Sequence, residues 1–242
     1  HFSHKTGKAK KYSQLNDEQQ AAVEALTKFS VILISGGPGT GKTSTLKSLL
    51  DRAISLNPDL RIGLSAPTGK AARRLKDSVK EGFPSSSSSL QDVLSGIPCK
   101  TLHSWLETNP KGFGRNKGNP ILLDILVIDE MSMVDLELMQ GLLDAYPKRS
   151  QLILVGDPKQ LPPISSGAVW HKLQEDEVRK QFGEASIHLN QLYRNQGKLA
   201  SLSNLLRRKG ISIFWKDLNQ APSTGNFTQH IVQSKELPKE II

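Results

Sequence analysis

An α/β fold with a mostly parallel sheet flanked by helices is predicted by three observations. Continuous apolar runs at Val31–Ile34, Ile125–Ile128 and Leu152–Val155 read as strands buried on both faces, as parallel sheets require. Helix-favouring stretches, led by Lys42–Leu50 and Ala71–Val79, separate them. Polar, glycine-rich or acidic residues follow each run, where α/β sheets gather their ligand-binding groups.

Taken in order, the chain begins with a basic stretch containing Lys5, Lys8, Lys10 and Lys11, read as a disordered tail over residues 1–13. Asn16 is a natural N-cap for the first helix, and Gln19 stands at the third helical position of a capping box. Ala22, Val23 and Leu26 supply its apolar stripe. The run Val31–Ile34 then leads into Gly36-Gly37-Pro38-Gly39-Thr40-Gly41-Lys42-Thr43, followed by Ser44. Strand, glycine-rich turn and helix is the setting in which G-x-x-x-x-G-K-[ST] cradles a polyphosphate. Glycines let successive backbone N–H groups converge on anionic oxygens at a helix N-terminus. Lys42 is placed for the β- and γ-phosphates, and the Thr43 hydroxyl for Mg²⁺. The pattern implies a nucleoside triphosphate site.

Asn57 and Pro58 end the second helix, and Arg61–Ala66 reads as a strand. Pro67-Thr68-Gly69-Lys70 turns into a helix carrying Arg73, Arg74 and Lys76. Its N-terminus suits a phosphate seat, or equally a capped surface helix. Residues 81–100, with Pro84 and the run Ser85–Ser89, are expected to form a mobile insertion, and 109–119 a glycine- and lysine-rich loop. Between them Thr101–Leu106 reads as a short helix, with Trp105 as a core residue.

Asp129 and Glu130 close the run Ile125–Ile128. Asp129 suits a Mg²⁺ ligand, and Glu130 a base that orients and deprotonates attacking water. Gln151–Val155 ends in Gly156-Asp157-Pro158-Lys159-Gln160-Leu161-Pro162-Pro163, where Gln160 is a candidate sensor of the terminal phosphate. Ser186–Leu189 reads as a short strand leading to Tyr193 and Arg194, the latter a candidate charge stabiliser. Leu199–Leu206 reads as an amphipathic helix.

At 242 residues the chain can bury a substantial core, and no apolar run approaches the ~20 residues of a membrane span. A net charge of +9 favours a polyanionic partner such as nucleic acid, although the N-terminal lysines supply part of it. One cysteine, Cys99, excludes an internal disulfide and a cysteine-based zinc site, and fits a reducing cytoplasmic setting.

These segments in this order resemble a superfamily 1 helicase of the RecD type, the family of the exodeoxyribonuclease V alpha chain. Leu15–Gln19 with Ala22 is similar to the Q motif, Gly36–Thr43 to motif I, Ala66–Arg73 to motif Ia and Thr101–His103 to motif Ib. Val127–Asp135 resembles motif II, Gly156–Pro163 with Gly167–Val169 motif III, and Leu189–Arg194 motif IV. The resemblance implies a RecA-like P-loop ATPase domain over 14–215, with 216–242 extending towards a second motor domain. It implies that Gln19 reads adenine, Tyr193 stacks on it and Arg194 acts as an arginine finger. Pro67, Thr68, Lys70, Thr101 and His103 would contact single-stranded DNA. ATP and Mg²⁺ are the implied ligands, and other subunits of a helicase–nuclease complex the implied partners. No segment resembles the second motor domain, so this chain is expected to bind ATP weakly, hydrolyse it poorly and unwind nothing. The whole protein would unwind DNA 5′ to 3′ in double-strand-break repair, with no nuclease site in this chain. The alternatives are a stand-alone helicase of the same family, the helicase domain of a conjugative relaxase, or a nucleotide-gated DNA-binding module without turnover. Glu130 speaks against the last, since mere binding requires no base.

Overall fold

The computed structural model describes residues 15–80, 88–163, 167–191 and Tyr193. The tail over 1–13, Arg194, Leu199–Leu206 and the stretch 216–242 lie outside the described residues.

In chain order the elements begin with α1 (Asp17–Ala25), β1 (Val31–Gly36), α2 (Lys42–Leu56), β2 (Ile62–Ala66) and α3 (Gly69–Lys80). Next come α4 (Ser88–Gly96), β3 (Cys99–Thr101), α5 (Leu102–Trp105), β4 (Thr108–Asn109) and β5 (Gly112–Phe113). Then follow β6 (Ile125–Ile128), a 3₁₀ turn at Met131–Met133, α6 (Leu136–Ala145) and β7 (Gln151–Gly156). The described part closes with α7 (Val169–Leu173), α8 (Asp176–Phe182), a 3₁₀ turn at Gly183–Ala185, and β8 (Ser186–Leu189). Six strands form one sheet in the order β3-β2-β6-β7-β1-β8, all paired in parallel.

The apolar runs are continuous because side chains alternate between two buried faces. Ile32 and Ile34 of β1, Ile125 and Val127 of β6, and Ile153 and Val155 of β7 join a core with α1, α2, α3 and Leu94 of α4. Leu33, Leu126, Ile128, Leu152 and Leu154 point the other way, into a core with Leu102, the apolar side of α6, and Trp170 of α7. A one-residue slip in any of these strands would exchange its two faces. The register holds Ser35 beside Gly156, Gly36 beside Leu189, and Ile128 beside Leu154, so the strand ends bearing the motifs lie level.

Two stretches differ from their reading as loops. Within 81–100 the described part contains α4 and β3, because Leu94 and Ile97 are buried and Cys99 pairs with Leu64 at the sheet edge. Within 109–119, β5 pairs antiparallel with β4 (Thr108 opposite Phe113), and Asn116 bridges Asn119. Phe113 packs against the bare Cα of Gly141, and Arg115 ties back to Glu107 at 2.6 Å. Trp105 is half-buried against the core rather than sealed in it, its Nε1 donating to the Leu64 carbonyl at 2.9 Å under Lys100.

Candidate active site

The loop between β1 and α2 is shaped by glycine. Gly39 and Gly41 hold φ of 76° and 86°, in the left-handed region that other residues rarely enter. Gly41 is also the N-cap of α2 and offers that helix no side-chain cap. Asn16, Thr101 and Asp135, by contrast, each cap their own helix with a side-chain acceptor. The start of the 15-residue α2 is therefore capped by backbone alone, which suits an anion. Lys42 Nζ donates to the carbonyls of Gly36 and Gly37 at 2.8 and 2.9 Å, holding its ammonium over the same loop. The Thr40 hydroxyl ties the loop to Gly37 O at 2.8 Å. Pro38 and Ser44 are exposed, and Thr43 is half-buried.

Asp129 leaves the end of β6 with its N–H donating to Ser65 O of β2 at 2.9 Å. Its carboxylate accepts from the Glu130 N–H at 2.9 Å. Glu130 itself sits at φ 53°, ψ 45°, a left-handed conformation that costs a non-glycine residue of order 1 kcal/mol. Strain of this kind, held at a strand end beside a lysine, points to function rather than to stability. Burial pushes both carboxyls above the ordinary carboxylate range; for Glu130 the Asp129 charge adds to this, while Arg74 and Lys42 pull back. A raised carboxyl is a better acceptor for a proton from water near neutral pH.

The loop after β7 carries Asp157, buried, and Gln160, exposed. Asp157 Oδ1 accepts from the Lys159 N–H at 2.9 Å and shapes the turn. The Ser132 hydroxyl donates to Gln160 Oε1, which joins the turn after Asp129-Glu130 to the loop after β7. Lys42, Asp129, Glu130 and Gln160 thus all emerge at the same edge of the sheet, at the ends of β1, β6 and β7. Thr43 and Asp129 offer a hydroxyl and a carboxylate, an all-oxygen pair that fits a hard divalent cation.

Gln19 is buried, and both halves of the capping box are formed: its N–H donates to Asn16 Oδ1 at 2.8 Å and its Oε1 accepts from the Asn16 N–H at 3.2 Å. Tyr193 is exposed, and Arg194 lies outside the described residues. Of the residues expected on DNA, Thr101 lines a cleft of about 560 Å³ with Gly69, Arg73, Lys76 and Lys100. Pro67, Thr68, Lys70 and His103 are not among its lining. The Thr68 hydroxyl accepts from the Ala71 N–H at 3.2 Å, the capping role that the sequence left open. Cys99 also lines the cleft; burial pushes its thiol up to about 11 against the pull of Lys76.

Sequence reasoning assigned no role to Ser132, Glu18 or Arg74. Glu18 accepts from Asn190 at 2.7 Å (backbone) and 2.9 Å (side chain), tying α1 to the segment after β8. Only the tertiary fold brings these partners together, so no local signal marks them.

Residues 19–166 match the protein family described as AAA domain. The chain belongs to that family. RecD-type helicases are among its relatives, and the resemblance of this chain to their first motor domain stands. It is 37% identical over 184 residues to an ATP-dependent RecD2 DNA helicase of Deinococcus radiodurans, covering 76% of this chain and 22% of that protein. Against the RecBCD enzyme subunit RecD of Haemophilus influenzae it is 42% identical over 181 residues, 72% of this chain and 28% of the relative. The chain thus spans roughly a quarter of the length of these relatives. Bacteroides Pif1 bound to single-stranded DNA shares the fold at TM-score 0.53 and 19% identity, over 91% of this chain and 51% of that one. The AAA-type P-loop fold is a nucleotide-binding one. Among the described residues no helix is long and apolar enough to cross a membrane.

Proposed function

We propose that this chain is the ATP-hydrolysing first motor domain of a RecD-type DNA helicase, a RecA-like domain over 14–215 acting on single-stranded DNA. One observation carries the reading: a helix start capped only by glycine backbone, with Lys42 above it, at the sheet edge where Asp129 and Glu130 end β6.

In this reading the N–H groups of Gly39–Ser44 bind the β- and γ-phosphates, and the Lys42 ammonium exchanges its two loop carbonyls for phosphate oxygens. Gln19 and Tyr193 receive the adenine. Thr43 and Asp129 hold Mg²⁺, which supplies charge neutralisation to the phosphates when bound. Glu130 orients a water towards the γ-phosphorus and takes its proton as ADP leaves, and Gln160 and Arg194 meet the transferred group. Pro67, Thr68, Lys70, Thr101 and His103 bear on a DNA strand crossing the ends of α3 and α5. As in the RecBCD assemblies that the relatives' names record, the whole protein would work with other subunits, in the cytoplasm.

Nucleotide titration and phosphate release test the reading. Lys42→Ala is expected to abolish triphosphate binding. Glu130→Gln is expected to keep it while turnover falls by about 10²–10⁴-fold, the usual contribution of a positioned base. Full turnover in Glu130→Gln would show that another group is the base.

A further inference from the structure

Two residues from separate elements converge on Gln160. Ser132 is fully buried in the turn after Glu130, and its hydroxyl donates to Gln160 Oε1. His171, on α7, sets Nε2 3.0 Å from the Gln160 backbone oxygen. A carbonyl oxygen only accepts, so Nε2 carries the hydrogen and the ring tautomer is fixed. The other ring nitrogen, Nδ1, is buried and has no hydrogen-bond partner among the described residues. The preceding residue of α7, Trp170, has 0% exposure and rests on Gly156, so α7 is anchored to the strand end that launches the Gln160 loop. Backbone and side chain of Gln160 are therefore each held by a different element, although the residue is exposed.

The two ends of a glutamine amide are chemically opposite: the oxygen accepts and the NH₂ donates. An anionic phosphate oxygen accepts a hydrogen bond from the NH₂ and repels the carbonyl. With Oε1 engaged by the Ser132 hydroxyl, the end directed away from Ser132 is the donor. We propose that Ser132 and His171 are positioning residues that present the Gln160 NH₂, and not its carbonyl, to the terminal phosphate of a bound nucleoside triphosphate. The site thereby distinguishes triphosphate from diphosphate before any chemistry. The proposal rests on the reading of Gln160 as the terminal-phosphate sensor given above. Losing Ser132 frees the amide to rotate and leaves the backbone clamp intact; losing His171 does the reverse.

The test is a pair of titrations on the 242-residue chain, with Mg²⁺, using β,γ-imido-ATP and ADP. The wild type is expected to favour the triphosphate. Ser132→Ala is expected to weaken triphosphate binding about tenfold, the scale of one lost hydrogen bond to a charged group, with ADP affinity unchanged. Ser132→Thr, which keeps the hydroxyl, is expected to restore it, and His171→Ala to lose the triphosphate preference in the same direction. Equal losses for both nucleotides would show a merely structural role and overturn the proposal, as would unchanged triphosphate affinity. A wild type that binds both nucleotides equally overturns the proposal alone. A wild type that binds neither overturns the nucleotide reading beneath it as well. If Ser132→Ala no longer melts cooperatively, His171→Ala carries the same outcomes.

Discussion

Asp129 shows how a residue suited to function works against stability. Its side chain is half-buried, compensated among the described residues by the Glu130 N–H and the charge of Lys42, and desolvation raises its carboxyl above its ordinary value of 3.8. Between that value and the raised one the folded state binds more protons than the unfolded. Stability therefore falls as pH rises through this window, and at neutral pH the charged form is a standing cost. Asp129→Asn removes the charge but keeps an acceptor for the Glu130 N–H. Thermal melts are expected to give a higher Tm than wild type at pH 7, with the gap closing near pH 4, while hydrolysis is lost. A lower Tm at both pH values would mean that Asp129 is held by favourable contacts instead. Lys42, Asp129, Glu130 and Gln160 were legible in the sequence because each follows a recognisable strand at a fixed spacing. Ser132 and His171 were not: their meaning depends on Gln160, which is 28 and 11 residues away respectively in the chain.

At the scale of elements, what could be read was what repeats locally. The capping box of Asn16 and Gln19, the strand runs and the glycine loop are patterns within a few residues, and all are formed. The stretch now occupied by α4 and β3 read as loop because Pro84 and the serine run mask a short helix in which Leu94 is buried. Edge strand β3 has three residues, too few for alternation to show, and is made a strand by pairing with β2. The attachment of α7 is a matter of close approach. A Cβ at Gly156 would lie 2.8 Å from two atoms of the Trp170 indole, which has no exposed surface and so no room to withdraw. Gly156→Ala is therefore expected to cost about 1–3 kcal/mol by overpacking, read as a lower midpoint in denaturant unfolding with an unchanged slope. Trp170→Phe in the Gly156→Ala background should recover part of that loss, since the smaller ring gives back space. A neutral Gly156→Ala would mean that α7 is held less tightly against β7 than this contact requires.

For the whole molecule, the sheet brings two candidate surfaces to neighbouring strand ends of one layer. The ends of β1, β6 and β7 lead to the glycine loop, the Asp129 and Glu130 carboxylates and the Gln160 loop, while β2 and β3 lead to α3, α5 and the basic cleft. Ser65 links the two halves, its carbonyl bonding the Asp129 N–H one residue before Ala66 ends β2. The +9 net charge is spread along the chain, but Arg73, Lys76 and Lys100 line one cleft, with Lys70 exposed at the start of the same helix. If a single strand lies there, its phosphates release counterions as they meet these side chains. Log affinity should then fall linearly with log salt, by about 0.7 for each phosphate neutralised on a single strand. Fluorescence anisotropy of a labelled oligonucleotide across a salt series measures that slope directly. Arg73→Ala with Lys76→Ala is expected to make it shallower by roughly 1.4, two contacts' worth, without regard to base sequence. Arg52→Ala with Lys47→Ala, two residues on α2 outside the lining of the cleft, serves as the matched loss of charge and should leave the slope within about half a unit. Equal changes from both pairs would assign the binding to overall charge and remove the cleft from the path of the strand.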